Sequence, residues 1–359
     1  MKTPILGSSY VTRSPNAADS RMVNLYPEVI PEGGKEAAWL QRAPGLRYLQ
    51  TLGGGPVRGL WTFNGKAFAV SGTALYEIDT DWAITYRGAI GLSGNGQVTM
   101  TDNGTQMFIA AGTYGYIYDD STNVLTELTT NFYGAVGCGF LDGWFVYNQP
   151  DSQIFWVMDS TGTTIDPLYF ASAEGSPDNL VTLIVDHREI WLFGQTSVEV
   201  WYDAGTPDFP MARIQGAFNE IGCLAAYSVA KLDNGLFWLG ADARGNGIVY
   251  RSKGYSGERV STHAVEWQIQ QYATLSDATA YTYQQDGHSF YVLNFPNANT
   301  TWVYDVATGV WHERAGWENN DFTRTRGNCQ MNFNNEIVIG DYRTGEIDRK
   351  STRLNSSHT

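Results

Sequence analysis

The chain has 359 residues, 43% apolar and 14% aromatic, with 39 glycines, 17% charged residues and a formal net charge of −14. That length admits one to three domains, and the aromatic and glycine content favours strands and turns over helices. No apolar run approaches the roughly 18 residues of a transmembrane helix, MKTPILGSSYVTRS lacks the apolar stretch of a signal peptide, and the acidic balance argues against tight binding to nucleic-acid phosphates.

Residues 1–44 are read as an extended N-terminal arm. Pro4, Pro15, Pro27 and Pro31 interrupt them, and a short helical patch is expected at Glu36–Gln41. Residues 1–56 hold six basic and four acidic side chains, so this end is slightly positive while residues 57–349 carry −18. The segments VNLYPEVI and LQRAPG supply apolar residues able to dock on a partner, with Tyr10, Arg13, Arg21 and Tyr26 as the candidate contacts. A disordered terminus is the alternative, since chain ends are often poorly ordered.

From residue 45 to 349 one short string recurs about every forty to fifty residues, an apolar or aromatic strand closed by Asp. It reads LYEID to Asp79, YIYD to Asp119, FWVMD to Asp159, VWYD to Asp203, WVYD to Asp305 and GEID to Asp348, and IVYR puts Arg251 in the same slot. Each copy lies in a set of four alternating runs, beginning with VRGLWTF, KAFAVSG, ALYEID and ITYRGAI. Such alternation marks half-buried strands, and the Gly, Asn and Asp between them mark turns. A repeat of this size built from short strands predicts an all-β fold, a β-propeller of seven four-stranded blades. The last repeat lacks a strand, whereas GLRYLQTL (residues 45–52) is a strand without a repeat. Its pairing with residues 344–348 would close the ring and remove an open edge.

The repeated Asp residues are read as structural. A carboxylate at the end of a strand accepts hydrogen bonds from the N–H groups of the following turn, whereas metal binding needs ligands brought together rather than spread over separate blades. The five histidines show no metal-ligand spacing, and His187 and His288 fall in predicted turns. Cys138, Cys223 and Cys329 lie far apart, each in the first strand of its repeat, and are read as small buried residues. No catalytic, metal-binding or cofactor-binding residues are assigned. Asp142 and Asp186 close first strands and are the candidates for a glycosidase-type carboxylate pair. Trp144, Trp156, Trp191, Trp201, Trp238 and Trp302 lie on predicted strands, where packing between blades competes with a sugar-stacking role. The final KSTRLNSSHT bears no relation to the repeats and is expected to be non-native read-through (350–359) in place of a natural C-terminal segment.

The strings LQRAPGLRYLQTLGGGPVRGLWTFNGKAFAVSGTALYEID, DSQIFWVMDSTGTTIDPLYFASAEGSPDNLVTLIVDHREIWLFGQTSVEVWYDAG and FNEIGCLAAYSVAKLDNGLFWLG resemble the packaged-DNA-stabilisation proteins, or tail hubs, of short-tailed bacteriophages. The resemblance is diffuse and covers about residues 40–349. It implies a non-enzymatic virion tail protein, made in the host bacterial cytoplasm. Such a protein would form a homo-hexamer below the portal and adaptor ring and help seal the capsid after DNA packaging. It would also seat the tail needle and let DNA pass without sequence-specific binding. A carbohydrate-binding or glycoside-cleaving propeller is the alternative, and a cellular interaction scaffold a third.

Overall fold

The computed structural model describes residues 7–11, 19–30, 38–92, 96–159, 164–243 and 245–351. The strands of the repeat region form seven sheets in which each strand pairs antiparallel with the next. The first blade runs Val57–Phe63, Lys66–Ser71, Ala74–Ile78 and Ile84–Ala89. Blades two to six occupy residues 99–127, 138–172, 180–219, 222–259 and 279–313. The seventh combines Gly327–Phe333, Glu336–Asp341 and Glu346–Lys350 with Leu46–Thr51 from the other end of the chain. The fold is therefore a seven-bladed β-propeller closed by its N-terminal strand, with Ile347 opposite Gln50 and Asp348 opposite Tyr48.

Burial changes from strand to strand, and the second strands depart from the expected half-buried alternation. Second strands such as Gln106–Ala111 and Glu189–Gly194 are buried on both faces, because a neighbouring blade covers each side. They read as continuous apolar runs for that reason. Outer strands such as Ile84–Ala89 are half-buried to exposed along their whole length. First-to-second hairpins carry two residues with positive φ, as at Asn64–Gly65, Asp142–Gly143, Asp233–Asn234 and Asn334–Asn335. That geometry defines the tight turn that matches strand twist, and Asn, Asp and Gly tolerate it. Near the axis the blades crowd together. A Cβ at Gly137 would lie 2.5 Å from the Leu183 carbonyl oxygen of the next blade, so only glycine fits there.

Several local expectations are corrected. Ala38–Arg42, which overlaps the expected helical patch Glu36–Gln41, is a strand paired with Leu25–Val29. The first strand of blade five is broken into Gly222–Cys223 and Ala230–Leu232 by a short 3-10 turn at Ala226–Ser228. An unanticipated helix, His263–Ile269, is capped by the Thr262 side chain and drives Val265 and Ile269 into the core between blades five and six. A hairpin of Gly316–Glu318 and Asp321–Thr323 leaves the connection between blades six and seven. Lys350, the first residue of the expected read-through tail, ends the third strand of blade seven opposite Leu46. The rest of that expected tail, residues 352–359, lies outside the described residues.

Described residues of the N-terminal segment lie against the flank of blade six. Residues 22–24 run parallel to the outer strand of blade six, with Asn24 N–H donating to the Glu313 carbonyl and Glu313 N–H to the Met22 carbonyl. Arg21 makes a two-point ion pair with the Glu313 carboxylate, at 3.0 and 2.6 Å. Tyr26, 1% exposed, packs edge-on against Phe290 at 5.3 Å. Two of the four candidate contacts, Arg21 and Tyr26, are thus engaged within their own chain. Their apolar and charged character matches the exposed flank of blade six. Tyr10 lies in a two-residue strand paired with Asp19–Ser20, and Arg13 falls outside the described residues.

Candidate functional site: the central channel and its two mouths

First strands of all seven blades surround a central cavity of about 590 Å³. Its wall includes Arg58, Trp61, Met100, Phe140, Tyr227 and Asn328, and contains no carboxylate among the described residues. Arg58 is 2% exposed, yet it faces carbonyls only, donating to Gly72 at 2.9 Å, Gly91 at 3.0 Å and also Gly96. Burial lowers its pKa from the ordinary arginine value, but the three carbonyls satisfy the guanidinium without neutralising it. Tyr227 donates to the Gln97 carbonyl at 3.3 Å, and burial pushes its hydroxyl up to about 12.

One mouth is ringed by the first-to-second hairpins. His187 and Arg188 occupy the two positive-φ positions of the blade-four turn, at 49° and 63°. The imidazole bridges Asp186 at 2.7 Å and Asn234 of blade five at 2.8 Å. With an acceptor at each ring nitrogen the charged form is favoured, and the bond to Asp186 is the first cause of a raised pKa. Arg188 reaches the other way, to both Asp142 oxygens of blade three at 2.7 and 2.8 Å. This turn therefore ties three blades together. Asp142 and Asp186 are each held by cations, the latter also facing Lys231 at 3.6 Å. The opposite mouth has a cavity of about 450 Å³ beside Arg58, Gln97, Asp277, Arg324 and Tyr342, where the Arg324 guanidinium lies over the Tyr342 ring at 3.5 Å.

The sequence-assigned Asp residues take different places. Asp79 Oδ1 accepts from the N–H groups of Asp81 and Ala83, both at 2.9 Å. Asp119 accepts from Ser121 and Thr122, and the Ser121 hydroxyl is the first cause holding its carboxyl near a pKa of about 2. Asp203 accepts from Gly205 N–H at 2.8 Å. Asp305, fully buried, accepts from Ala307 N–H, the Thr308 hydroxyl and His288 Nδ1. Asp159 ends its strand at the edge of the described residues. Asp348 opens no turn and lies inside the strand Glu346–Lys350. Its blade receives its fourth strand from the N-terminus, so there is no hairpin for it to start. Asp341 instead holds a turn in that blade, accepting from Arg343 and Thr344 N–H. Arg251 reaches the Asp233 carbonyl and carboxylate rather than a following turn.

Trp156, Trp191, Trp238 and Trp302 are buried in cores between blades, and Trp144 and Trp201 pack against another. Cys138 and Cys223 are buried and Cys329 half-buried, all three unpaired, and burial pushes each thiol up to about 12. His288 is not in a turn. It begins the second strand of blade six, 5% exposed, clamped between Asp305 and Glu28 at 2.8 Å each. Among the described residues no group of His, Cys, Asp and Glu is placed to hold a metal, and no helix is long and apolar enough to cross a membrane. Sequence reasoning missed Arg58 and Arg314. The alternation of His312 and Arg314 along one strand edge was the available signal for the second.

A family model described as "Bacteriophage P22 Gp10, beta-propeller" matches residues 1–352. No curated protein matches the chain. Among solved structures, virginiamycin B lyase from Staphylococcus aureus is similar with a TM-score of 0.56 at 11% identity, over 85% of this chain and 98% of the lyase chain. A chain of the mitotic checkpoint complex is similar with a TM-score of 0.55 at 12% identity, over 89% and 96% of the two chains. At such identities these likenesses concern the fold alone.

Proposed function

Because the chain belongs to the P22 Gp10 β-propeller family of bacteriophage structural proteins, we propose that it is a tail-hub component of the virion, sealing the portal channel after DNA packaging and joining the portal and adaptor to a tail needle. The observation that carries this reading is the family match, which runs through the N-terminal segment and all seven blades. Two features of the molecule support it. The six tryptophans considered for sugar stacking are packed in or against the cores between blades. The carboxylates Asp142 and Asp186 are each paired with basic side chains, not left facing one another.

DNA would not pass through the propeller itself. A cavity of about 590 Å³ is of small-molecule size, roughly 300–1,000 Å³. A duplex whose major groove alone is about 12 Å wide and 8.5 Å deep does not fit it. The conduit would be the opening of a ring of several copies, a homo-hexamer in this reading, with the acidic propellers around it repelling the DNA backbone.

The test is the mass in solution of the full natural chain, alone and mixed with a portal–adaptor complex. A ring-sized species bound to the adaptor is expected. A stable monomer that ignores the adaptor would remove the tail-hub reading and send the chain to a glycan screen.

A further inference from the structure

Six of the seven interfaces between blades are filled by ten or more buried apolar side chains each. The interface between blades six and seven is built differently. Its buried apolar set is Tyr283, Phe290, Val292 and Val303 of blade six, completed by Tyr26 from the N-terminal segment. Tyr281 and Ile337 pack against this set half-buried, and basic side chains lie beside it.

Arg314 is 5% exposed, and none of its three guanidinium nitrogens has a hydrogen-bond partner. His312 is fully buried, and neither ring nitrogen has one. Two residues apart at the end of one strand, both side chains lie on the same face. The Arg314 guanidinium is 5.4 Å from the Phe290 ring centroid and 5.6 Å from that of Tyr26, and His312 is 6.0 Å from Phe290. The Lys350 ammonium of blade seven lies 5.1 Å over the Tyr283 ring, itself 5.0 Å from Phe290, and donates one hydrogen bond to the Pro44 carbonyl at 2.6 Å. Ring faces attract a cation but leave the N–H groups of Arg314 unsatisfied.

The nearby carboxylates are committed elsewhere. Asp305 and Glu28 hold His288, and Glu313 points to the opposite face and holds Arg21. Arg314 makes no ion pair among the described residues, although the Asp286 carboxylate is close enough to act on Tyr26. A buried guanidinium with no hydrogen bond and no ion pair is a costly arrangement for a fold to hold, and such orphaned groups commonly mark an ion or water that completes them.

We propose that the interface between blades six and seven holds one small inorganic anion, bound by Arg314, His312 and Lys350 beneath the N-terminal segment. The planar fork of arginine suits an oxyanion such as phosphate, with the ammonium as a second point of charge. The state of the cations agrees. Burial pulls Lys350 down to about 7 with Arg314 as the next cause, and burial followed by Arg314 holds His312 well below its ordinary value. This is the behaviour of a basic cluster without its counter-ion. The anion would tie together blade six, blade seven and the segment carrying Tyr26, at the interface with the fewest apolar contacts.

The experiment uses the full chain dialysed into HEPES and sodium gluconate. Anions released on denaturation are measured by ion chromatography. Thermal unfolding is then followed as phosphate or chloride replaces gluconate at constant ionic strength. Either about one anion retained per chain, or a saturable rise in Tm with phosphate or chloride, is expected. Arg314→Met should abolish the response while keeping the side-chain volume, and His312→Gln should weaken half-saturation by about tenfold, because its amide donor sits on a flexible chain away from the position the ring nitrogen holds. If Arg314→Met does not fold, His312→Gln carries the test. No retained anion together with no saturable response, the result given by a water cluster, overturns the proposal. So does an equal response in wild type and variants, which would be a general salt effect.

Discussion

The same residue in the same repeat slot has different energetic weight according to what surrounds it. Asp119 and Asp305 both hold the turn after a third strand, but Asp119 does so in contact with solvent, whereas Asp305 is fully buried against His288. Asp119→Ala should cost about 1 kcal/mol, the net worth of ordinary hydrogen bonds. Asp305→Ala should cost about 3–5 kcal/mol, because it strands a buried imidazole and its partner Glu28. Urea midpoints for the two variants compare them directly, and equal costs would contradict this account. Asp348 behaves in the opposite sense. Burial, then Asp341 and Glu346, raise its carboxyl from 3.8 to about 6. The folded state therefore holds this proton more tightly than the unfolded chain does, and its contribution to stability falls as pH rises from about 4 to about 6. Asp348→Asn should gain about 1–2 kcal/mol at pH 8, discounted for partial exposure, and lose that gain at pH 4. Denaturant unfolding at both pH values gives the sign.

Among elements, the strand Leu46–Thr51 and the segment before it have separable duties. The strand closes the ring by covering the edge of Glu346–Lys350, and an uncovered edge invites pairing with other chains. The preceding segment covers the flank of blade six through Met22, Arg21 and Tyr26. Removal of residues 1–43 should leave a folded propeller with a lower Tm. Removal of residues 1–52 should give aggregates or no cooperative transition. Size-exclusion chromatography and calorimetry of the two truncations check this, and a stable monomer from the longer deletion would show that the ring does not depend on its closure.

For the molecule as a whole, charge and cavity size point the same way. The chain carries −14, and the basic groups of the bore wall, such as Arg188 and Lys231, are paired with carboxylates or, like Arg58, with carbonyls. A linear duplex should show no mobility shift with the isolated protein even at about 50 mM salt, where phosphate contacts are strong. A shift that weakens steeply with salt would reveal a basic surface and count against a surface over which DNA slides.

The sequence by itself determined the blade pattern, the turn chemistry and the strand that closes the ring. Each is written in local periodicity, two residues for a strand and about forty to fifty for a blade, and closure follows from one missing and one spare strand. Tertiary structure decided what local pattern cannot carry. The slot that makes Asp119 a turn residue leaves Asp348 in mid-strand, because the ring closes with a strand some 300 residues away in sequence. Arg21 and Tyr26 read as partner contacts because nothing nearby in sequence buries them; the flank of blade six does. The crowding of Arg314, His312 and Lys350 likewise arises only when blades six and seven pack against one another, and with it the charge that their interface has to satisfy.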